Sequence, residues 1–275
     1  MIETPDAVLI TVALCTHNHA DRLQRSLSDL GKLLSPTQPW ELVVVDNASS
    51  DETPQLLAAA EWRPANVPVR VVREMKLGLS NARNRALQEA HGEYLLFVDD
   101  DETADSHWLQ AYEAAILAHR PDALGGRIEV MFEHGERPLW LQDELLGFLG
   151  QLNQYGEARW LTEPNTPFYG GNFAVRRELF ASVGQFDPEL GRKGGINDGG
   201  EDTDFYRRLL AGGYKVRWVP EAIIHHRIEA DKLRRDYFLE LHYRQGRMEG
   251  ARKRGESSRM PPKYLFGQCA RALGK

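Results

Sequence analysis

Two cysteines in 275 residues, Cys15 near one end and Cys269 near the other, provide neither a disulfide framework nor a CxxC metal site. A reducing compartment, the cytoplasm, is the expectation. No run approaches the ~18 apolar residues that span a bilayer, and no charged n-region precedes an apolar stretch at the N-terminus. The sequence therefore reads as neither membrane-spanning nor secreted by that route. GxxxxGK[ST] is absent, which removes a P-loop nucleotide site. Basic charge is scarce over most of the chain. The net charge is −6, yet from Arg227 onward 13 Lys and Arg face 6 Asp and Glu, a net of +7 that leaves −13 on the rest. An acidic body with a basic tail argues against a general nucleic-acid binder. The basic tail reads as a solvated helical surface, with contact to anionic lipid head groups at a membrane as the alternative.

What is present is an alternation. "VLITVALC" (8–15) is a continuous apolar run of β-branched character and reads as a buried strand. Asp21 then caps a helix carrying Leu23, Leu27, Leu30 and Leu34. "ELVVVDNASSDETP" repeats this order, with Thr53 and Pro54 opening the helix. "VRVV" (69–72) is a third strand, followed by a helix capped by Ser80 and stopped by Gly92. "YLLFV" is a fourth strand, followed by another helix. Strands and helices alternating at this spacing define an α/β fold with a mostly parallel sheet flanked by helices. Residues 133–168 show no sustained period and read as loops or short helices, whose Trp140, Phe148, Tyr155 and Trp160 suit an acceptor-side surface. "GGNFAVRRELFASVGQFD" reads as strand, helix and turn. A glycine-rich loop, a helix from about Asp202 to Leu210 and a strand Val216 to Val219 follow, with two histidines beyond that strand. Residues 229–254 read as a charged helix.

Ligands of parallel sheets gather at the carboxyl ends of the strands. Thr16, His17 and Asn18, then Asp46, then Asp99 to Glu102 all fall there. Four successive carboxylates repel one another unless water or a cation screens them. Mg²⁺ and Mn²⁺ favour carboxylate oxygens and complete their shells with substrate phosphates. Side chains alternate along an extended segment, so Asp99 and Asp101 share one side and Asp100 faces away. His225 and His226, at an exit from the sheet, offer an imidazole to the same ion. Glu201 and Asp202 open a helix, where acidic residues complement the dipole; an ionised carboxylate there also serves as a base toward an attacking hydroxyl. "SNARNR" offers amides and guanidiniums to a base edge, ribose or diphosphate.

In this order the motifs "VALCTHNH", "ELVVVDNASSDET", "GLSNARNRAL", "YLLFVDDDE", "YGGNFAVRRELFASVGQFD", "GGEDTDFYRRLLAGGYKV" and "PEAIIHHR" resemble the family 2 glycosyltransferases. The resemblance spans roughly residues 8–228. It implies a GT-A, Rossmann-like nucleotide-binding fold, with residues 1–132 as the nucleotide-binding half, 133–228 as the acceptor and catalytic half, and 229–275 as a basic helical extension. It also implies a nucleotide-diphosphate sugar donor, a divalent metal (Mn²⁺ or Mg²⁺), and inverting transfer to a glycan or lipid-linked acceptor hydroxyl. By the same resemblance Thr16, Asn18 and Asp46 neighbour the base and ribose, and Arg83 contacts the nucleotide. Asp99 and Asp100 lie on the donor, Gly170, Gly171 and Asn172 beside the donor sugar, and Asp101 and His226 on the metal. Asp202 is then the general base, with Glu201 next in line. Cys15 and His17 depart from the family pattern, which has proline and tyrosine there. The rival readings are a phosphatase-like aspartate site, for which no late strand-end lysine is present, and a binding module without activity.

Overall fold

The computed structural model describes residues 7–59, 61–133, 136–153, 155–165, 167–193 and 199–253. Cys269, the chain beyond residue 253 and positions 194–198 of the glycine-rich loop lie outside the described residues. The chain divides into two compact units, Met1–Ala230 and Asp231–Lys275.

In the first unit the strands are β1 (Ile10–Thr16), β2 (Trp40–Asp46), β3 (Val69–Arg73), β4 (Tyr94–Asp99), β5 (Glu102–Ala104), β6 (Ala123–Phe132), β7 (Arg159–Leu161), β8 (Phe173–Arg176) and β9 (Val216–Ile228). Its helices are α1 (Ala20–Leu30), α2 (Thr53–Ala58), α3 (Leu79–Glu89), α4 (Trp108–His119), α5 (Phe180–Val183) and α6 (Glu201–Ala211). The second unit contains α7 (Arg235–Lys253). No described helix is long and apolar enough to cross a membrane.

The sheet order is β3-β2-β1-β4-β8-β6-β9-β5, with β7 also on β9. The first four strands are parallel, whereas β8 runs antiparallel to both β4 and β6. The sheet is therefore mixed rather than parallel throughout. Both faces are covered, which explains the unbroken apolar runs: Leu42 and Val44 pack on one side, Val43 and Val45 on the other. Leu23 and Leu27 of α1 join the first cluster, and Ala82 and Ala86 of α3 join the second.

Several boundaries differ from expectation. Helix α1 ends at Leu30 and leaves Leu34 outside, while its first amide, Ala20 N–H, donates to Asp51 in the loop after β2 at 3.1 Å. Helix α3 begins after Gly78 (φ 134°), and the Ser80 hydroxyl donates to the Leu190 carbonyl instead of capping. Strand β9 does not stop at Val219. A three-residue bulge intervenes, since Gly126 pairs with Val219 but Arg127 with Ile223, and pairing then continues through His225 and His226. Pro220 sits inside that bulge, where no ladder N–H is required.

Candidate active site

The strand order reverses between β1 and β4, and that reversal opens a crevice beyond their carboxyl ends. Cys15 is paired with Asp99 and Thr16 with Asp46 across this edge. Burial first, then Asp99 and Asp100, push the Cys15 thiol up to about 12, against the pull of Arg83, so it stays a neutral filler at physiological pH.

The four carboxylates of the aspartate run point to four different places. Asp99 meets the Arg83 guanidinium at 3.2 Å. Asp100 is buried on the α1 side, where it accepts from the Thr16 hydroxyl at 2.6 Å and faces His19 Nδ1 at 3.0 Å. Burial raises the Asp100 carboxyl and the hydrogen bond to Asp100 raises the His19 imidazole. Asp101 is drawn to β9 by the pairing of Glu102 with His226, and the Arg227 amide donates to its carbonyl at 3.0 Å. Glu102 turns into the core. Its carboxylate accepts from the Asp99 amide at 3.0 Å, and burial, then Asp99 and Asp101, hold it well above the usual carboxylate range.

Asp101 Oδ2 and His226 Nε2 lie 3.3 Å apart, while His226 Nδ1 is 2.7 Å from the Leu149 carbonyl. A carbonyl only accepts, so Nδ1 carries the proton. In the neutral ring Nε2 then presents a lone pair to a carboxylate, two acceptors face to face. A positive charge between them removes the conflict, either a second ring proton or a cation. The Nδ1–H donation to a backbone carbonyl is also how metal-binding histidines are oriented. Among the described residues no group of three or more His, Cys, Asp or Glu is arranged to hold a metal ion. A cation held by Asp101 and His226 would thus take its remaining ligands from phosphate or water, as Mg²⁺-type sites do.

Arg83 is buried on α3. It donates to Glu201 at 2.6 Å and to the Gly170 carbonyl at 2.9 Å, besides Asp99. Glu201 is buried at the start of α6, and burial, then Asp202, raise its carboxyl while Arg83 opposes them. Asp202 is the more open of the two. Its Oδ2 accepts from the Gly170 amide at 2.8 Å and its Oδ1 from the Thr203 amide at 2.6 Å. Of the adjacent pair, Glu201 is the buried member, with Oε1 on Arg83 and Oε2 without a hydrogen-bond partner, and Asp202 is the more accessible.

Beyond the ends of β1 and β2, Asp46 accepts from the Ser49 amide at 2.9 Å, and Asn18 Oδ1 accepts from the Ser50 amide at 2.7 Å, so the two loops brace each other. Thr16 is buried with its hydroxyl committed to Asp100. Gly171 lies against Glu102, whose carboxylate a Cβ would overlap. Asn172 is a correction. Expected beside the donor, it is fully buried. Its Oδ1 accepts from Trp108 Nε1 and the Tyr112 hydroxyl, both at 2.8 Å, and its Nδ2 donates to the Arg127 and Ala222 carbonyls at 2.8 and 2.9 Å. All four hydrogen-bonding positions of the amide are filled, so it clamps the β9 bulge and has nothing left for a ligand. Of the aromatics assigned to the acceptor side, Trp160 is also displaced. It pairs with Arg217, nine residues along β9 from His226, or roughly 20–30 Å. His19 and the Leu149 carbonyl were not foreseen; a carbonyl partner leaves no trace in residue type.

A mixed sheet of this order, with carboxylates gathered at the strand reversal and an acidic helix start across from them, defines a GT-A glycosyltransferase fold. The comparisons agree. The profile of glycosyl transferase family 2 matches residues 11–184, and the chain belongs to that family. The succinoglycan biosynthesis protein ExoM of Rhizobium meliloti is 26% identical over 246 residues, covering 88% of this chain and 74% of that protein. Staphylococcus aureus TarS in complex with UDP-GlcNAc superposes with a TM-score of 0.62 at 21% identity, over 80% of this chain and 59% of that one. GalNAc-T7 with UDP, GalNAc and Mn²⁺ gives 0.62 at 21% identity, over 82% and 44%. The chain thus spans less than two thirds of either solved chain.

Proposed function

We propose that the chain is an inverting glycosyltransferase of glycan assembly that moves a sugar from a nucleotide-diphosphate donor to an acceptor hydroxyl with a divalent metal. The observation that carries this reading is the Asp101–His226 pair, a carboxylate oxygen and an imidazole nitrogen 3.3 Å apart beside the strand ends. The complexes of TarS with UDP-GlcNAc and of GalNAc-T7 with UDP, GalNAc and Mn²⁺ support it. Asp101 and His226 would hold the ion, which when bound supplies positive charge against the leaving diphosphate. Asp46, Asn18 and Asp99 border the nucleoside and sugar.

Asp202 performs the proton chemistry. The acceptor oxygen attacks the anomeric carbon from the face opposite the diphosphate, and its proton passes to Asp202. The carbon–oxygen bond to the β-phosphate breaks, and its electron pair leaves on the diphosphate. One displacement needs one base and inverts the configuration. The acceptor is a glycan or lipid-linked saccharide, encountered in the cytoplasm or at the inner membrane face.

A thermal-shift panel of UDP, GDP, dTDP and CDP, each with and without MnCl₂, tests the proposal. A ligand at a hundred times its dissociation constant adds about 2.7 kcal/mol, which corresponds to roughly 5–10 °C for a protein of this size. One nucleotide is expected to stabilise only with Mn²⁺, and Asp101→Ala to abolish the gain. No shift with any nucleotide would remove the donor-binding reading.

A further inference from the structure

Arg83 has surroundings unlike those of a ligand contact. It is 1% exposed, and Phe97, Phe173 and Phe186 enclose its guanidinium with ring centroids 5.6, 5.9 and 5.8 Å away. Its donors end on protein groups from three segments: Asp99 at the end of β4, the Gly170 carbonyl and Glu201. We infer that Arg83 is a positioning residue for Asp202, tying the base to the donor crevice at Asp99, and is not a contact to the nucleotide. This rests on Asp202 being the base.

Two routes run from this one guanidinium to Asp202. The first passes through Glu201, the residue before Asp202 in the chain. Helix α6 has no side-chain hydrogen bond at its cap, and the preceding Gly200 has φ 106°, so the Arg83–Glu201 pair helps to hold the first turn from the side. The second passes through Gly170. Arg83 holds the Gly170 carbonyl at 2.9 Å, and the amide of the same residue donates to Asp202 Oδ2 at 2.8 Å. The approach is close enough that a Cβ on Gly170 would overlap Arg83 Nη2. The guanidinium also balances Glu201, whose charge would otherwise bear on its neighbour. A planar fork reaches three acceptors in fixed directions, and a lysine ammonium on a flexible stem cannot replace it. Because the same arginine holds Asp99, displacement on the donor side is felt at the base, and a misplacement of about 1 Å costs on the order of 100-fold in rate.

The test uses the full chain with Arg83→Lys, Gly170→Ala and Asp202→Asn. Binding of UDP and of GDP in MnCl₂ is read by titration calorimetry. Turnover is read as nucleotide release from UDP- and GDP-sugars at saturation, with water as the acceptor. Asp202→Asn is expected to lose roughly 100-fold or more in turnover with nucleotide affinity within about twofold of wild type. Arg83→Lys is expected to show the same split, turnover down roughly 30- to 100-fold and affinity nearly unchanged. An affinity loss of about tenfold or more in Arg83→Lys would overturn the inference and make Arg83 a nucleotide contact. If Arg83→Lys does not fold, Gly170→Ala decides. It removes no charge, and a turnover drop of about tenfold with unchanged affinity is expected, whereas wild-type turnover overturns the inference. Wild-type turnover in Asp202→Asn would instead remove the base assignment itself.

Discussion

Replacing Asn172 with alanine tests whether that residue is a structural clamp or a donor contact. The substitution deletes four hydrogen bonds at a fully buried site, to Trp108, Tyr112, Arg127 and Ala222. The Tyr112 hydroxyl keeps a second acceptor, the Asn172 backbone carbonyl at 3.1 Å, whereas the Trp108 N–H loses its partner. Each bond is worth about 1 kcal/mol net, and an orphaned buried donor costs about 1–3 kcal/mol. Together they predict a loss of about 4–6 kcal/mol, a large part of the ~5–15 kcal/mol that holds a domain together. Urea unfolding followed by tryptophan fluorescence measures it. Asn84→Ala is the internal standard, because Asn84 is also buried but makes only two such bonds, to the Phe186 amide and carbonyl. About 2 kcal/mol is expected there. A loss under about 2 kcal/mol for Asn172→Ala, or one no larger than that of Asn84→Ala, would refute the clamp.

Three further outcomes are expected. His226→Ala should weaken Mn²⁺ binding measured by electron paramagnetic resonance by roughly 10- to 100-fold, since it removes the imidazole that faces Asp101; unchanged binding would place the metal elsewhere. Glu102→Gln should flatten the pH dependence of stability. Burial, then Asp99 and Asp101, raise the folded-state value of Glu102 above about 4.5, its unfolded value. Its contribution is therefore complete below that pH and lost as pH rises through the folded value. At neutral pH the metal-free Gln variant should match or exceed wild type in urea titrations; a variant clearly less stable than wild type there would contradict this. Gly171→Ala forces a methyl into the Glu102 carboxylate and should cost about 1–3 kcal/mol by thermal unfolding. A neutral effect would mean that Glu102 is free to move aside.

The N-terminal half was legible because its signals are local. Apolar runs buried on both faces, each followed within a residue by polar groups, announce parallel strands whose ends form a crevice. The second half hides its structure in pairings remote in sequence. Strand β6 is interrupted by Gly125 and Gly126, and only a short alternation, Arg127-Ile128-Glu129-Val130, follows them. Gly126 is there because a Cβ would overlap the Asn172 amide and the Ala222 carbonyl. Pro220 punctuated β9 early, and only the bulge opposite Gly126 reveals that the strand resumes. The residue types of the site were readable, but the directions of their side chains were not. Asn172 is placed at the donor by resemblance, and Arg83 by resemblance and residue type, yet their partners are protein groups supplied from 16 to 118 residues away.

The aspartate run has a consequence that counting charge would miss. Its carboxylates reach Arg83, the Thr16–His19 pocket, His226 and the core beneath Gly171. Each position has its own destination, so order matters and sum does not. Exchanging Asp101 with Glu102 would preserve composition, net charge and isoelectric point. It would nevertheless place a longer arm against His226 and a shorter one under Asp99. The segment is spelled, and an anagram of it is a different protein.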